Sequence, residues 1–148
     1  MAYKGFFKPN NPQKYSGDPN NIIYRSSWEL RFMMYCDTNP SIVKWSSEEL
    51  TIGYISPKDN RPHKYFPDFL IEVKKGNKLE TFLIEIKPEN QQKPPAPLKP
   101  GKKPTRKYIN EVFTWGVNEA KWKAAKKVCD RNGWKFLVLG EKQLNIKF

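Results

Sequence analysis

The sequence predicts a single α/β domain in which helices flank a mixed β-sheet, and three observations lead to this fold class. The length of 148 residues fits one domain with one hydrophobic core, so we expect the domain to span residues 1–148. The composition, with 38% hydrophobic and 14% aromatic residues, is typical of a folded chain despite 28% charged residues. Apolar patterns of helical and alternating period follow one another in the order helix, several strands, helix, strand.

The amino-terminal part combines an irregular arm with the first predicted helix. Residues 1–23 are rich in Asn, Pro, Lys and Gly, so we expect an irregular arm that packs through aromatic side chains such as Tyr3. A helix is predicted from Ser26 to about Asp37, because aromatic residues recur there at helical spacing and Asn39-Pro40 then ends the pattern.

The middle of the chain is predicted to form strands. Two short strands are expected at residues 42–45 and 50–55, before a segment rich in turn-forming residues. Residues 63–73 and 79–87 are then predicted to pair as a hairpin. Pro67 lies within the first of these strands, and it predicts an edge position, a bend or a bulge there.

The carboxy-terminal part is predicted to contain a loop, a helix and a strand. Residues 88–104 carry six prolines and several lysines, which predicts a flexible or polyproline-like loop. Helical patterns over residues 105–115 and 117–132 are separated by a glycine, where we expect an interruption or a kink, and Gly133 is expected to end the helix. A strand at residues 134–139 precedes a short tail.

The charge of the chain is strongly positive and unevenly distributed. There are 27 Lys and Arg against 15 Asp and Glu, a formal net charge of +12, with an isoelectric point near 9.7. Residues 1–85 hold 12 basic and 10 acidic side chains, whereas residues 86–148 hold 15 and 5. A polyanion is therefore the expected partner, and lysines that only keep the protein soluble are the alternative.

Cysteine usage and hydropathy bear on the compartment. Cys36 and Cys129 are too few and too isolated for a disulfide scaffold or a zinc site, which favours the cell interior. The sequence has no run of about 18 apolar residues and no leader with a charged and then apolar pattern. We therefore expect neither a membrane span nor a signal peptide, and no membrane partner.

A group of charged residues is predicted at the end of the central hairpin. With the period of a strand, Glu85 and Lys87 point to one face while Ile84 and Ile86 point to the other. Asp68 is predicted to lie on the neighbouring strand. Two carboxylates beside an ammonium group can hold a divalent metal ion and a water molecule.

These residues fit the requirements of phosphodiester hydrolysis. Asp68 and Glu85 would bind Mg²⁺, and the carbonyl group of Ile86 could add a backbone ligand. Lys87 could orient or deprotonate the attacking water. Glu29, on the first helix, could hold a metal-bound water or a second ion.

Each residue also has a structural explanation. Glu29 completes a capping box with Ser26, Asp68 can be a turn residue, and Glu85 with Lys87 can be an exposed pair on a strand. The functional interpretation is favoured because two acids fall at the ends of adjacent apolar strands, where packing does not require a charge.

Other hydrolytic sites are less well supported. His63 is the only histidine, which excludes nucleases that use paired histidines, and it is expected on the surface of a hairpin. A Ser-His-Asp arrangement around it stays open, although no nucleophile elbow is present. No phosphate-binding Gly-rich segment with its Lys occurs, so ATP use is not expected.

The charged residues resemble the PD-(D/E)xK signature of restriction-endonuclease-like nucleases. The matching positions are Glu29, Pro67-Asp68 and Glu85-Ile86-Lys87. The resemblance implies a mixed sheet between helices, with Asp68 and Glu85 as ligands of Mg²⁺ or Mn²⁺, Lys87 serving the water and Glu29 as the acid of the helix.

Further segments resemble the head-completion nucleases of T-even-type tailed phages over nearly the whole chain. They are Ser16-Gly17-Asp18-Pro19, Tyr24-Arg25-Ser26, Trp28-Glu29, Asn39-Pro40, Trp45, Tyr65-x-x-Asp68, Ile84 to Pro88, and Asn118-x-x-Lys121-Trp122-Lys123-Ala124-Ala125. The chain is also distantly similar to endonuclease subunits of transposition systems. The resemblance implies a metal-dependent hydrolase that cuts or trims packaged double-stranded DNA before tail attachment. Its implied partners are the portal and neck proteins, and its implied location is the host cytoplasm and then the virion head or neck.

Basic residues after the acidic strand are the expected phosphate contacts, so DNA binding should weaken steeply with salt. They are Lys102, Lys103, Arg106, Lys107, Lys121, Lys123 and Lys126. Two alternatives stay open: a plug or neck protein that binds DNA and the portal without cutting, and a transposition or repair endonuclease with the same chemistry.

Overall fold

The computed structural model describes residues 4–146, and its centre is one mixed four-stranded sheet. The elements in chain order are β1 (Gly5–Phe6), β2 (Ile23–Tyr24), α1 (Ser27–Thr38), β3 (Ile42–Ser47), β4 (Ile52–Ser56), β5 (Arg61–Tyr65), β6 (Phe69–Lys75), β7 (Lys78–Ile86), α2 (Arg106–Asn132), β8 (Lys135–Leu139) and α3 (Glu141–Ile146). The order in the sheet is β3-β6-β7-β8, with β7 and β8 parallel and the other neighbours antiparallel. The predicted α/β class with a mixed sheet flanked by helices is confirmed, and the arrangement is consistent with a restriction-endonuclease-like fold.

The first helix covers one face of the sheet. Ser26 caps α1, as the sequence predicted, and the helix ends one residue beyond Asp37. Met33 and Cys36 are fully buried and belong to one core cluster with Phe69 and Ile84 of the central strands. The apolar face of α1 therefore fixes the side of the sheet on which the hairpin β6–β7 packs.

The long helix covers the opposite face. Ala125 and Cys129 of α2 pack with Leu83 of β7 and with Ile52 of β4 in a second cluster. Leu83 is completely buried, so β7 is covered on both faces, as is usual for a central strand next to a parallel neighbour. An acid at the end of such a strand is thus held where water has limited access.

The predicted strand at residues 63–73 is wrong in one respect, because two strands occupy this stretch. β5 pairs with β4 in a separate hairpin, and β6 pairs with β7 around Gly76, whose φ is +60°. Residues 66–68 separate the two strands. Pro67 explains the break, since it has no N–H group to donate to a sheet, and the bend that its presence predicted is confirmed.

The predicted interruption of the second long helix is also wrong. α2 runs continuously through Gly116 to Asn132, and Gly133 ends it with a φ of +72°, as predicted. A Cβ atom at Gly116 would lie 3.6 Å from Cγ of Pro57, in the turn between β4 and β5. Packing against this hairpin compensates the weak helix propensity of glycine.

The arm and the tail are more regular than predicted. The arm contains β1, β2 and a 3-10 turn, and it packs through aromatic rings: Tyr15 and Phe7 lie edge-on to Trp45, with ring centroids 4.7 and 5.8 Å away. Tyr3 lies outside the described residues. The expected tail forms α3, because Leu144 is buried in the α1 cluster.

The predicted loop at residues 88–104 is irregular except for one 3-10 turn at Glu89–Gln91.

Within residues 4–146, no helix combines the length and the apolar character that crossing a bilayer requires.

Gly116 within α2 and Gly133 at its end give a test of this fold. We expect Gly116→Ala to raise the free energy of unfolding by about 0.4–1 kcal/mol, because alanine favours the helix and its methyl group finds ordinary contact distance to Pro57. Gly133→Ala should lower it by about 1–2 kcal/mol, because alanine is strained at a positive φ. Urea unfolding of both variants with unchanged m-values measures the difference. A lower free energy of unfolding in Gly116→Ala would show that the contact between α2 and the β4–β5 hairpin leaves no room for a methyl group at residue 116.

Candidate active site

The pairing of β6 with β7 brings two carboxylates together. Phe69 is opposite Ile84 in the antiparallel register, so Asp68 and Glu85 occupy the next positions beyond this pair. The Ile86 N–H donates a hydrogen bond of 2.7 Å to Oδ2 of Asp68. The side chain of Asp68 thus continues the link between the strands, and the two predicted acids are neighbours.

A tyrosine hydroxyl orients the second carboxylate. The Tyr65 hydroxyl, at the end of β5, donates a 2.5 Å hydrogen bond to Oε1 of Glu85. Both residues are buried, with 4% and 7% of their surface exposed. Burial, and then the charge of Glu85, raises the pKa of Tyr65 far above its usual range, so the hydroxyl remains a donor at any physiological pH.

Burial disfavours negative charge at both acids. It raises the pKa of Asp68 well above the ordinary range, and the charge of Glu85 raises that pKa further. Burial is also the main cause of the raised pKa of Glu85, which the Tyr65 hydroxyl and the charges of Lys87 and Lys121 oppose. The two acids are therefore close together and partly dehydrated, and the neighbouring positive charges compensate their negative charge only in part.

Glu29 combines a capping role with a position near these acids. The Ser26 hydroxyl accepts the Glu29 N–H at 3.1 Å, and the Glu29 carboxylate accepts the N–H of Arg25 at 3.3 Å. Burial raises the pKa of Glu29, and the charges of Glu48 and Glu85 raise it too. Glu29 can therefore take part in the cap of α1 and still lie close to Asp68 and Glu85.

Glu48 is an acid near the site that sequence reasoning missed. Its φ is +55°, a conformation that is uncommon for residues other than glycine, and its N–H donates to the Asp68 carbonyl at 3.2 Å. Its carboxylate forms an ion pair with Arg25 at 3.3 Å. The pair Glu48-Glu49 directly after a strand was the available signal, but the turn that directs Glu48 to Asp68 was not predictable.

Lys87 is held by its backbone beside the two acids. Its N–H donates to the Leu139 carbonyl of β8 at 3.0 Å, and its carbonyl accepts from the Gln92 side chain at 2.9 Å. The charge of Lys87 opposes the raised pKa of both Asp68 and Glu85, so its ammonium group acts on the same site.

One residue that the sequence assigned to DNA binding lies at this site. Nζ of Lys121 on α2 is 5.6 Å from the ring centroid of Tyr65 and 5.9 Å from that of Tyr54. These are distances at which a cation and an aromatic face attract each other. Because its charge also acts on Glu85, Lys121 supports the Tyr65–Glu85 pair from the helix side. The role of Tyr65 was missed, although its position three residues before Asp68 was a signal.

The other six predicted DNA-binding residues are exposed. They are Lys102 and Lys103 in the loop, Arg106 and Lys107 at the start of α2, and Lys123 and Lys126 further along it. His63, by contrast, is exposed on β5 and pairs with Asp59 at 2.9 Å, as expected for a surface hairpin residue.

The donor set suits an ion that keeps part of its water shell. Among residues 4–146, no three acidic, histidine or cysteine side chains are grouped closely enough to hold a metal ion by themselves. Asp68 and Glu85 would therefore supply two oxygen ligands and leave the remaining positions to backbone, water or substrate. Mg²⁺ is commonly bound in this way.

Comparison with known proteins agrees with this architecture. Residues 39–141, which include β3 to β8, match the family model described as TnsA-like endonuclease N terminal. The Head completion nuclease of Enterobacteria phage T4 is 40% identical over 144 residues, which cover 95% of this chain and 93% of that protein. Both similarities that the sequence motifs suggested, to a phage head-completion nuclease and to a transposition endonuclease, are confirmed. The chain belongs to the TnsA-like endonuclease family.

Proposed function

We propose that this protein is a metal-dependent endodeoxyribonuclease that cuts or trims packaged double-stranded DNA during phage head completion, before tail attachment. The observation that carries the proposal is the close pair of the half-buried Asp68 and the buried Glu85, with the charge of Lys87 acting on both. A protein that only binds DNA has no need to maintain two neighbouring carboxylates at a dehydrated strand end, where they destabilise the fold. The name of the phage T4 relative supports the biological context.

The metal ion in this proposal is Mg²⁺, with Mn²⁺ as a substitute. Asp68 and Glu85 would hold it, with the carbonyl oxygen of Ile86 as a third ligand. The fit rests on charge, because a divalent cation would compensate the burial that raises the pKa of both acids and the charge of Glu85 that raises the pKa of Asp68 further. A bound cation supplies positive charge against the charge that develops on the phosphate during hydrolysis.

The residues around the ion have separate tasks. Lys87 orients the attacking water through its ammonium group, or deprotonates this water after losing its own proton to solvent. Tyr65 holds Oε1 of Glu85, and Lys121 packs over the Tyr65 ring, so both are positioning residues. Glu29 holds a further water at the end of α1. In the reaction, the water oxygen forms a bond to phosphorus and releases a proton to Lys87 or to solvent, one P–O bond of the DNA strand breaks, and the leaving oxygen takes a proton from solvent.

The exposed basic residues would position the substrate. The charges on the loop and on α2 would contact phosphates without recognising sequence, which suits trimming of DNA with any sequence. The proposed protein partners are the portal and neck proteins, met first in the host cytoplasm and then in the virion. The match to the TnsA-like family favours one second candidate, an endonuclease of transposition or repair with the same site. Copurification with capsid proteins would distinguish the two.

The proposed metal site predicts an effect on stability. Without metal, Asp68→Asn and Glu85→Gln should each raise the free energy of unfolding by at least about 1 kcal/mol, or roughly 2–4 °C in Tm, because each removes the repulsion. Mg²⁺ should raise the Tm of the unaltered protein and not that of either variant. Glu119→Gln, an exposed acid of α2, is the matched control and should keep the response to Mg²⁺. An equal response in all four proteins would place the ion elsewhere.

The proposed reaction predicts an effect on cleavage. Asp68→Ala and Lys87→Ala should each cut linear and supercoiled duplex DNA at least about 100-fold more slowly with Mg²⁺ or Mn²⁺, because an ion ligand or the partner of the water is lost. Lys78→Ala, at the far end of β7, should cut at the unaltered rate. DNA binding is measured in parallel.

Equal cleavage by all four proteins would indicate a contaminant or another site. Absence of cleavage in all four, with DNA binding retained, would favour the plug protein that binds DNA without cutting.

A further inference from the structure

A cleft of about 780 Å³ lies between the loop at residues 88–104 and the first half of α2. Its loop side includes Asn90 and Lys93, and its helix side runs from Arg106 to Asn118. The thirteen residues from Arg106 to Asn118 extend over about 18 Å, so the cleft follows the first half of α2. Of the predicted site residues, Arg106 and Lys107 line it, whereas Glu29, Asp68, Glu85 and Lys87 do not.

The cleft is rich in positive charge at the start of α2. Lys93, Arg106 and Lys107 are exposed there, against the single carboxylate of Glu111, a net charge of +2. Arg106 and Lys107 occupy the first turn of α2, which contains no acid. Cations at the positive end of a helix do not stabilise it, but together with the free N–H groups they attract an anion.

An aromatic ring and two amide side chains line the cleft further along α2. Trp115 is half-buried in its wall and is held edge-on by Trp122, with ring centroids 5.9 Å apart. The Asn118 side chain is buried beside it, and Asn110 lies two turns earlier. A fixed indole ring offers a stacking surface for any base, and the amides can bind base edges.

The size of the cleft separates unpaired from paired DNA. A volume of about 780 Å³ falls in the range of pockets that enclose one small organic molecule, roughly 300–1,000 Å³. A duplex is too wide to enter such a space. Nucleotides can reach the Trp115 ring only after they leave the base pair, as they do in enzymes that extrude a base.

The cleft leads to the acid pair. Gln92, next to the lining residue Gln91, donates to the Lys87 carbonyl at 2.9 Å. On the other wall, Asn118 precedes Lys121 by about one helical turn, and Lys121 reaches the ring of Tyr65. Both walls of the cleft are thus continuous in the chain with residues that contact Lys87 or Tyr65.

We propose that this cleft binds an unpaired segment of the substrate DNA, with a base stacked on Trp115, so that the enzyme prefers DNA with a single-stranded tail or frayed end over fully paired ends. The inference rests on the proposed function, since it specifies the DNA that the same site receives.

The test measures binding without metal, so it does not depend on cleavage. Fluorescence anisotropy in EDTA compares a labelled blunt duplex with the same duplex carrying a short thymidine tail of either polarity. We expect the tail to increase the affinity of the unaltered protein. Trp115→Ala should weaken binding of the tailed duplex about 5- to 150-fold, and that of the blunt duplex less than about 2-fold. Phe113→Ala, an exposed aromatic of α2 outside the cleft, is the matched control and should change neither.

Each contrary result has one meaning. If the unaltered protein binds blunt duplex and gains nothing from the tail, or if Trp115→Ala weakens both DNAs equally, the inference about the cleft is wrong and the proposed nuclease stands. If it binds neither DNA, the proposed DNA substrate fails as well. Should Trp115→Ala not fold, Trp115→Phe keeps a ring and its packing. In that variant, the quenching of tryptophan fluorescence by a thymidine oligomer should be lost, and unchanged quenching would overturn the inference.

Discussion

The proximity of Asp68 and Glu85 is the constraint on which the site depends. The register of β6 and β7 sets their separation, and the hydrogen bond from the Ile86 N–H to Asp68 fixes it further. The cores on both faces of β7 keep water away, so the repulsion between the carboxylates is only partly screened. The surrounding groups compensate this repulsion in part: the Tyr65 hydroxyl binds one carboxylate, and two lysines add positive charge. A divalent cation at this point would complete the compensation, which links the stability of the fold to the proposed chemistry.

The long helix connects the parts of the proposed reaction. Its buried face, with Ala125 and Cys129, anchors it on the sheet, while its first half extends along the cleft. One helix thus carries the cations proposed to bind phosphate, the Trp115 ring proposed to stack on a base, and Lys121, whose charge acts on the acid site. Since the helix is continuous through Gly116, these groups keep fixed distances from one another. An interruption at that glycine would have separated substrate binding from the acids.

The parts that could be predicted from the sequence depend on local patterns. Alternation in β7 placed Glu85 and Lys87 on one face, because a strand has a strict period of two, and the motif predicted that Asp68 lies beside them. The cap at the start of α1, Ser26, and the cap at the end of α2, Gly133, were predictable because each depends on one residue and its neighbours. Tertiary contacts decided the remainder. Packing against Pro57 carries α2 through Gly116, pairing with β4 separates β5 from β6, and burial of Leu144 forms α3. Glu48 and Tyr65 reach the acids through turns whose geometry no periodic pattern encodes.

The central claim is that Asp68 and Glu85 share one divalent cation, and the most direct test is a crystal soaked in Mn²⁺ and measured for anomalous scattering. We expect one strong anomalous peak between the two carboxylates, next to the Ile86 carbonyl, and no peak there in crystals of Asp68→Asn. A strong peak at other acids, or none at this pair at an Mn²⁺ concentration that supports cleavage, would contradict the claim.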